Sequence, residues 1–174
     1  MRRLYAMAAR IAGWVGALSL LLVIAAGLVT VADVLIRKTV GGGILGTTDI
    51  VQLLVMAAAF AAVPYGFFAD SHVAVDLATE RLPPRALAGI KAAGALLALV
   101  LLLVIAWCGW NQALQAASYG DGSPTIRLPM TWFWATLIAG AVLSAVSALL
   151  VACRHVALAL GRADMAPRHR EAEG

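Results

Sequence analysis

The sequence predicts an all-α membrane protein with four transmembrane helices. Four stretches of 20 residues or more contain no Asp, Glu, Lys or Arg: residues 11–32, 50–69, 92–120 and 128–153. A helix rises about 1.5 Å per residue, so roughly 20 residues cross a hydrocarbon core about 30 Å thick. The composition agrees, because the chain is 63% hydrophobic and 13% charged with a mean hydropathy of +0.92. These values exclude a soluble domain of 174 residues.

The apolar stretches are expected to be helices because they lack the polar and apolar alternation of a membrane β-barrel. We predict one transmembrane domain over residues 1–160, with spans at about 11–36, 48–69, 86–118 and 129–153. Residues 161–174 are polar and are predicted to form a disordered cytoplasmic tail.

The positive charges predict the topology. Of the 13 Lys and Arg residues, only Arg37, Lys38 and Arg127 lie in the loops after the first and third spans. The others precede the first span, lie between the second and third, or follow the fourth. The positive-inside rule therefore places both termini in the cytoplasm, and the basic balance needs no nucleic-acid partner to explain it.

A cleaved signal peptide is the alternative reading of the first apolar stretch. The stretch is longer than the usual apolar core of about 7 to 15 residues, and no clear small-x-small site ends it before Asp33. We therefore expect the first span to be retained.

The residues at the end of the first helix and the start of the second predict specific local contacts. Asp33 and Arg37 are spaced i, i+4 and are expected to pair. A glycine-rich loop follows at residues 41–46. Thr47 or Thr48 is expected to cap the second helix, with Asp49 favourably placed at its positive dipole end.

Between the second and third spans, residues 70–84 are predicted to form a short amphipathic helix on the cytoplasmic membrane surface. His72, Asp76 and Glu80 recur every four residues on one side, while Leu77 lies on an apolar side. The charges are interpreted as solvated. A metal site on His72 and Asp76 is rejected because the sequence offers no further ligands nearby.

The third span ends in a polar stripe. Asn111, Gln115 and Ser118 fall at i, i+4 and i+7, so they share one helix face. Two interpretations stay open: the stripe faces a partner subunit, or it is polar fraying at an ordinary membrane interface beside Trp107 and Trp110.

The fourth span carries small residues at four-residue spacing, among them Gly140, Ser144 and Ala148. Such a stripe lets another helix approach closely, and we predict that it is a helix-packing surface and a candidate interface with a partner subunit.

Catalysis and independent transport are not supported by the residues. No span contains a charged residue near mid-membrane, where a proton-coupled carrier needs an ionisable relay. The sequence has no HExxH, CxxC, P-loop or nucleophile elbow. We therefore expect no enzyme activity, no cofactor and no metal site. Cys108 and Cys153 are predicted to lie near opposite faces of the membrane, too far apart for a disulfide.

Four landmarks in order resemble the small permease subunit, of DctQ type, of tripartite ATP-independent periplasmic (TRAP) transporters. They are the exit of the first helix at Asp33 to Arg37, the acidic start of the second at Asp49, the segment His72, Asp76 and Leu77 closing at Leu82 and Pro83, and the entry to the fourth at Ser123–Pro124 and Leu128–Pro129. The resemblance covers about residues 15–155. The chain departs from the family pattern at Asp49, because the family commonly has a Trp and two acids there.

The resemblance implies a subunit of a bacterial inner-membrane importer of organic acids. A periplasmic receptor would deliver the substrate, and the large permease subunit would carry it with the coupling ion, expected to be sodium. This chain would support the large subunit. Arg37, Lys38 and Arg127 are then candidates for contact with the receptor, and lipid headgroups are the alternative partners for these cations.

Two other classes remain open. One is a self-sufficient small oligomeric transporter or channel, and the other is an assembly or sensory membrane protein. Neither class accounts for the order of the landmarks.

Overall fold

A computed structural model describes residues 2–69 and 84–160 of the chain. Its helices are α1 (Arg2–Val40), α2 (Thr47–Phe68), α3 (Pro84–Tyr119) and α4 (Thr131–Ala159). All four are long and apolar enough to cross a membrane. The prediction of a four-helix, all-α membrane protein is therefore confirmed. The interfacial helix predicted at residues 70–84 and the tail at 161–174 fall almost wholly outside the described residues.

The two short loops of the bundle lie at the same end. Asp49, in the first turn of α2, accepts a hydrogen bond from Ser123 in the loop between α3 and α4. At the opposite end, Arg154 near the end of α4 donates to the hydroxyl of Tyr5 near the start of α1. We call these the loop end and the terminal end.

The helices pack in the order α1, α2, α4, α3. Helix α2 lies between α1 and α4, and α4 in turn lies between α2 and α3. The central helix α4 is accordingly rich in buried residues, whereas α1 and α3 each expose a long row of large apolar side chains. The two flanking helices thus present one uncovered face each.

Close contact between α2 and α4 depends on Gly140. A Cβ atom at this position would lie 2.5 Å from the Cβ and 2.8 Å from the carbonyl oxygen of Phe60 on α2. Further along the same face, Ser144 and Ala148 are fully buried, and the Ser144 hydroxyl donates to the Gly140 carbonyl at 2.6 Å. Small residues therefore let the two helix backbones approach.

Side chains from all four helices meet at the terminal end. Tyr5 packs edge-on against Phe68 with 5.2 Å between ring centroids, and the Arg154 guanidinium lies 5.1 Å from the centroid of the Tyr5 ring. Together with Phe67, these aromatic rings cover a cluster of buried residues on α3 and α4, namely Ala95, Val151 and Ala152. This cluster joins the four helices at the terminal end.

The predicted cap of α2 is wrong. The N-cap residue is Gly46, which has φ 84° and makes no side-chain cap hydrogen bond. A Cβ atom at Gly46 would lie 2.5 Å from the Cγ2 atom of Ile126, so the loop between α3 and α4 packs where a capping side chain would begin. The Thr47 hydroxyl instead lies 2.9 Å from the carbonyl oxygen of Ile44, outside the helix.

Candidate functional site

The loop between α1 and α2 is held by one buried carboxylate. Asp33 is 5% exposed and pairs with Arg37 at 2.7 Å, which confirms the predicted i, i+4 pair. Its other oxygen accepts the backbone N–H of Ile44 at 2.6 Å and lies 3.1 Å from the Thr47 hydroxyl. These bonds tie the far end of the glycine loop back to α1.

The loop between α3 and α4 is held by a second carboxylate. Asp49 is 1% exposed, and one of its oxygens accepts the Ser123 hydroxyl at 2.5 Å and the N–H groups of Thr125 and Ile126 at 3.1 and 2.9 Å. The Ser123 hydroxyl oxygen in turn accepts the N–H of Leu128 at 3.0 Å. A buried carboxylate surrounded by donors in this way is satisfied without a metal.

Asp33 and Asp49 therefore act as two carboxylate anchors for the loop end. Both loops attach to the first turn of α2, since Thr47 contacts one anchor and Asp49 is the other. Charge-assisted hydrogen bonds are stronger than neutral ones. We conclude that the loop end is an ordered surface rather than a pair of free loops.

Arg127 projects from this ordered surface. It has φ 54°, a left-handed conformation that is uncommon for a non-glycine residue. The N–H groups of its neighbours Ile126 and Leu128 are both held, by Asp49 and by Ser123. Arg127 is exposed, and its guanidinium has no hydrogen-bond or ion-pair partner among the described residues. The anchor thus fixes the backbone that carries a free cation.

The other two predicted cations differ from Arg127. Arg37 is 67% exposed but already pairs with Asp33. Lys38 is exposed at the last turn of α1 and has no partner among the described residues. Arg127 and Lys38 are therefore the free positive groups at the described part of the loop end, and whether either contacts a receptor stays a prediction.

An open cavity of about 360 Å³ lies next to Arg127. Its lining comes from the end of α3, the following loop and the start of α4: Ala116, Ala117, Gly120, Asp121, Gly122, Arg127, Pro129 and Thr131. It contains no group of residues suited to acid–base or nucleophilic chemistry. Within residues 2–69 and 84–160, no cluster of His, Cys, Asp and Glu is suited to hold a metal ion.

The residues predicted at partner interfaces separate into two sets. Asn111, Gln115 and Ser118 are exposed along α3, with Asn111 and Ser118 each donating to a carbonyl of their own helix. By contrast, Gly140, Ser144 and Ala148 are buried inside the bundle. Because α2 of the same chain covers the stripe at Gly140, we do not assign it to another subunit.

The remaining predicted residues are those of the interfacial segment and the two cysteines. His72, Asp76 and Leu77 lie outside the described residues. Cys108 and Cys153 are free and exposed.

Sequence reasoning missed the partner of Asp49. Ser123 is 74 residues away along the chain, so no local spacing rule connects the two. The sequence identified Ser123 and Pro124 only as part of the entry to the fourth helix, and not as neighbours of Asp49. The contact between Tyr5 and Arg154, 149 residues apart, was missed for the same reason.

Four membrane-length helices, with both short loops held by buried carboxylates, define an integral membrane protein. Residues 26–158 match the family model described as tripartite ATP-independent periplasmic transporters, DctQ component. The chain therefore belongs to this family and is the small permease subunit of a TRAP transporter. A comparison with curated proteins finds no match.

Proposed function

We propose that this chain is a non-catalytic support for the large permease subunit of an importer of organic acids in a bacterial inner membrane. In this proposal a periplasmic receptor delivers the substrate, and the large subunit moves it together with the coupling ion, which we expect to be sodium. This chain holds the large subunit in the bilayer and binds no cofactor.

The observation that carries the proposal is the family match over residues 26–158 in a chain whose apolar stretches hold no charged residue. A transporter component without ionisable groups at mid-membrane has no relay for protons or ions. Its long helices and small-residue packing suit a support role. The positive-inside rule supports a periplasmic position for the loop end, where Arg127 and Lys38 would meet the receptor.

Reconstitution tests this proposal. Proteoliposomes are prepared with the large subunit and this chain, with the large subunit alone, and with this chain alone. A panel of mono- and dicarboxylates is first screened for thermal stabilisation of the purified receptor, and the acid that stabilises it is then used in radiolabelled form. We expect uptake that requires the receptor, a sodium gradient and both membrane subunits.

Two results would contradict the proposal. Uptake by the large subunit alone at an undiminished rate would show that this chain is not a required support. Uptake or ion flux in vesicles that contain only this chain would favour the alternative, a self-sufficient oligomeric transporter or channel.

A further inference from the structure

Helix α3 exposes one continuous face along its length. Leu102, Gly109 and Ala116 are buried, on the side that packs against α4. The opposite side is exposed and changes from apolar to polar towards the loop end: Leu97, Val100, Val104, Trp107, Asn111, Gln115 and Ser118. Leu97 and Trp107 are 73% and 70% exposed. The side chains that follow the 3.6-residue period on this face are thus not buried against another helix of the described bundle.

The length of α2 allows the depth of this face in the membrane to be estimated. Its 22 residues span about 33 Å, little more than the hydrocarbon thickness of about 30 Å, so nearly all of α2 must lie within the bilayer. One end of α2 is bonded to Ser123, just beyond the end of α3. At its other end, Phe68 packs on the cluster that contains Ala95 of α3. The end of α3 at Tyr119, next to Ser123, and the level of Ala95 therefore mark the two membrane boundaries along α3.

Asn111 lies inside these boundaries. It is 16 residues from Ala95, or roughly 24 Å along the helix, and 8 residues from the end of α3 at Tyr119, or roughly 12 Å. The interfacial zone is only about 5 to 8 Å thick on each side, so Asn111 lies within the hydrocarbon. Gln115, one turn closer to the loop end, lies near the boundary.

The amide of Asn111 is only partly satisfied. One N–H donates to the Trp107 carbonyl at 3.0 Å, which leaves its second N–H and its carbonyl oxygen without a partner among the described residues. Lipid tails offer no hydrogen bonds, so an exposed amide at this depth is unfavourable unless another protein covers it.

The exposed face of α1 is compared with that of α3. Leu21 and Leu28 are 63% and 66% exposed there, and the nearby Thr30 hydroxyl is satisfied by the Ala26 carbonyl of its own helix. This face suits lipid. Leu21 is also 16 residues from Tyr5, which packs on the same terminal-end cluster as Ala95. Leu21 therefore lies at about the same depth as Asn111.

We propose that the exposed face of α3 around Trp107, Asn111 and Gln115 is the docking surface for the large permease subunit, whose facing helix offers a hydrogen-bonding side chain to Asn111. This inference rests on the proposed function and names the surface that performs it. The exposed indole of Trp107 adds the large aromatic contact that anchors many interfaces.

Photocrosslinking tests this surface in the complete transporter. Benzoylphenylalanine is placed at position 111 or, as the matched control, at position 21, and membranes that contain the large subunit are irradiated. We expect an adduct between this chain and the large subunit from position 111 and not from position 21. Adducts of position 111 with only a second copy of this chain, or only with lipid, would overturn the proposal.

A substitution tests the hydrogen bond itself. Because one interhelical polar contact is modest in strength, we expect Asn111→Leu to weaken binding of the large subunit about 3- to 10-fold, whereas Leu21→Ala leaves it unchanged. Unchanged binding by Asn111→Leu would overturn the role given to the amide. If the wild-type chain itself did not bind the large subunit, the proposed function would be wrong. Failure of the proposed function is therefore distinguishable from failure of the role given to Asn111.

Discussion

Asp49 accepts hydrogen bonds from a loop that lies more than 70 residues further along the chain. The Ser123 hydroxyl links two groups of this loop. It donates a hydrogen bond to the Asp49 carboxylate and accepts one from the Leu128 N–H. Ser123 is 3% exposed, so its hydroxyl makes both bonds shielded from solvent. Ser123 is therefore the residue through which this anchor is most directly tested.

Ser123→Ala should destabilise the folded chain by about 1–3 kcal/mol, because the Leu128 N–H loses its acceptor and Asp49 loses one of its three donors. The measurement is the free energy of unfolding in mixed detergent and denaturant. Ser118→Ala is the control, since Ser118 is exposed and bonds only to its own helix; its effect should stay within about 0.5 kcal/mol. Equal effects from both variants would contradict the anchor.

Local spacing predicted only part of this end of the molecule. The pair of Asp33 and Arg37 follows from helix geometry alone and was correctly predicted. The bonds from Asp33 to Ile44 and from Asp49 to Ser123 depend on how two loops return to α2, which the sequence does not specify locally. The cap of α2 was missed for a related reason: Ile126 from the other loop occupies the space that a side chain at position 46 would need.

At the scale of the helices, α4 organises the bundle because it contacts both α2 and α3. The small-residue spacing predicted a packing surface on α4, but the spacing along one helix does not identify which other helix packs against that surface. The structure assigns α2, through the contact of Gly140 with Phe60. The polar stripe of α3 also follows one helix face, but its environment is different, because its residues are exposed.

Gly140→Ala should therefore destabilise the bundle. The new methyl group would collide with the backbone as well as the side chain of Phe60, and overpacking of this kind costs about 1–3 kcal/mol. The matched control is Gly27→Ala in α1, where an added Cβ meets nothing within 4 Å. Because alanine favours the helix over glycine, this control should be neutral or stabilising by up to about 1 kcal/mol.

The comparison is made by thermal unfolding of the purified variants in one detergent. If Gly140→Ala were as stable as Gly27→Ala, the close approach of α2 to α4 would not describe the protein in the membrane.

At the scale of the whole molecule, the orientation in the membrane remains a prediction from the charges. Single cysteines are introduced at Gly42, in the loop end, and at Leu160, after α4, in a chain with Cys108 and Cys153 replaced by serine. A membrane-impermeant maleimide should label position 42 in cells whose outer membrane is permeabilised, and position 160 only after the inner membrane is lysed. The reverse pattern would place the loop end in the cytoplasm.

With that orientation, Arg127 on the anchored loop would face the proposed periplasmic receptor. Arg127→Glu should raise the receptor concentration that gives half-maximal uptake about 2- to 10-fold, as expected for losing or reversing one exposed charge pair, with the maximal uptake rate unchanged. The effect should shrink as ionic strength rises, because salt screens exposed charges.

Arg10→Glu provides the control for this measurement. Arg10 is also exposed, but it lies near the terminal end, so the same change in net charge should leave the dependence on receptor concentration unaltered. If Arg127→Glu behaves like Arg10→Glu at low salt, Arg127 does not contact the receptor. The left-handed backbone and the Asp49 anchor would then serve only to close the loop between α3 and α4, and Lys38 would be the remaining free cation at the described part of the loop end.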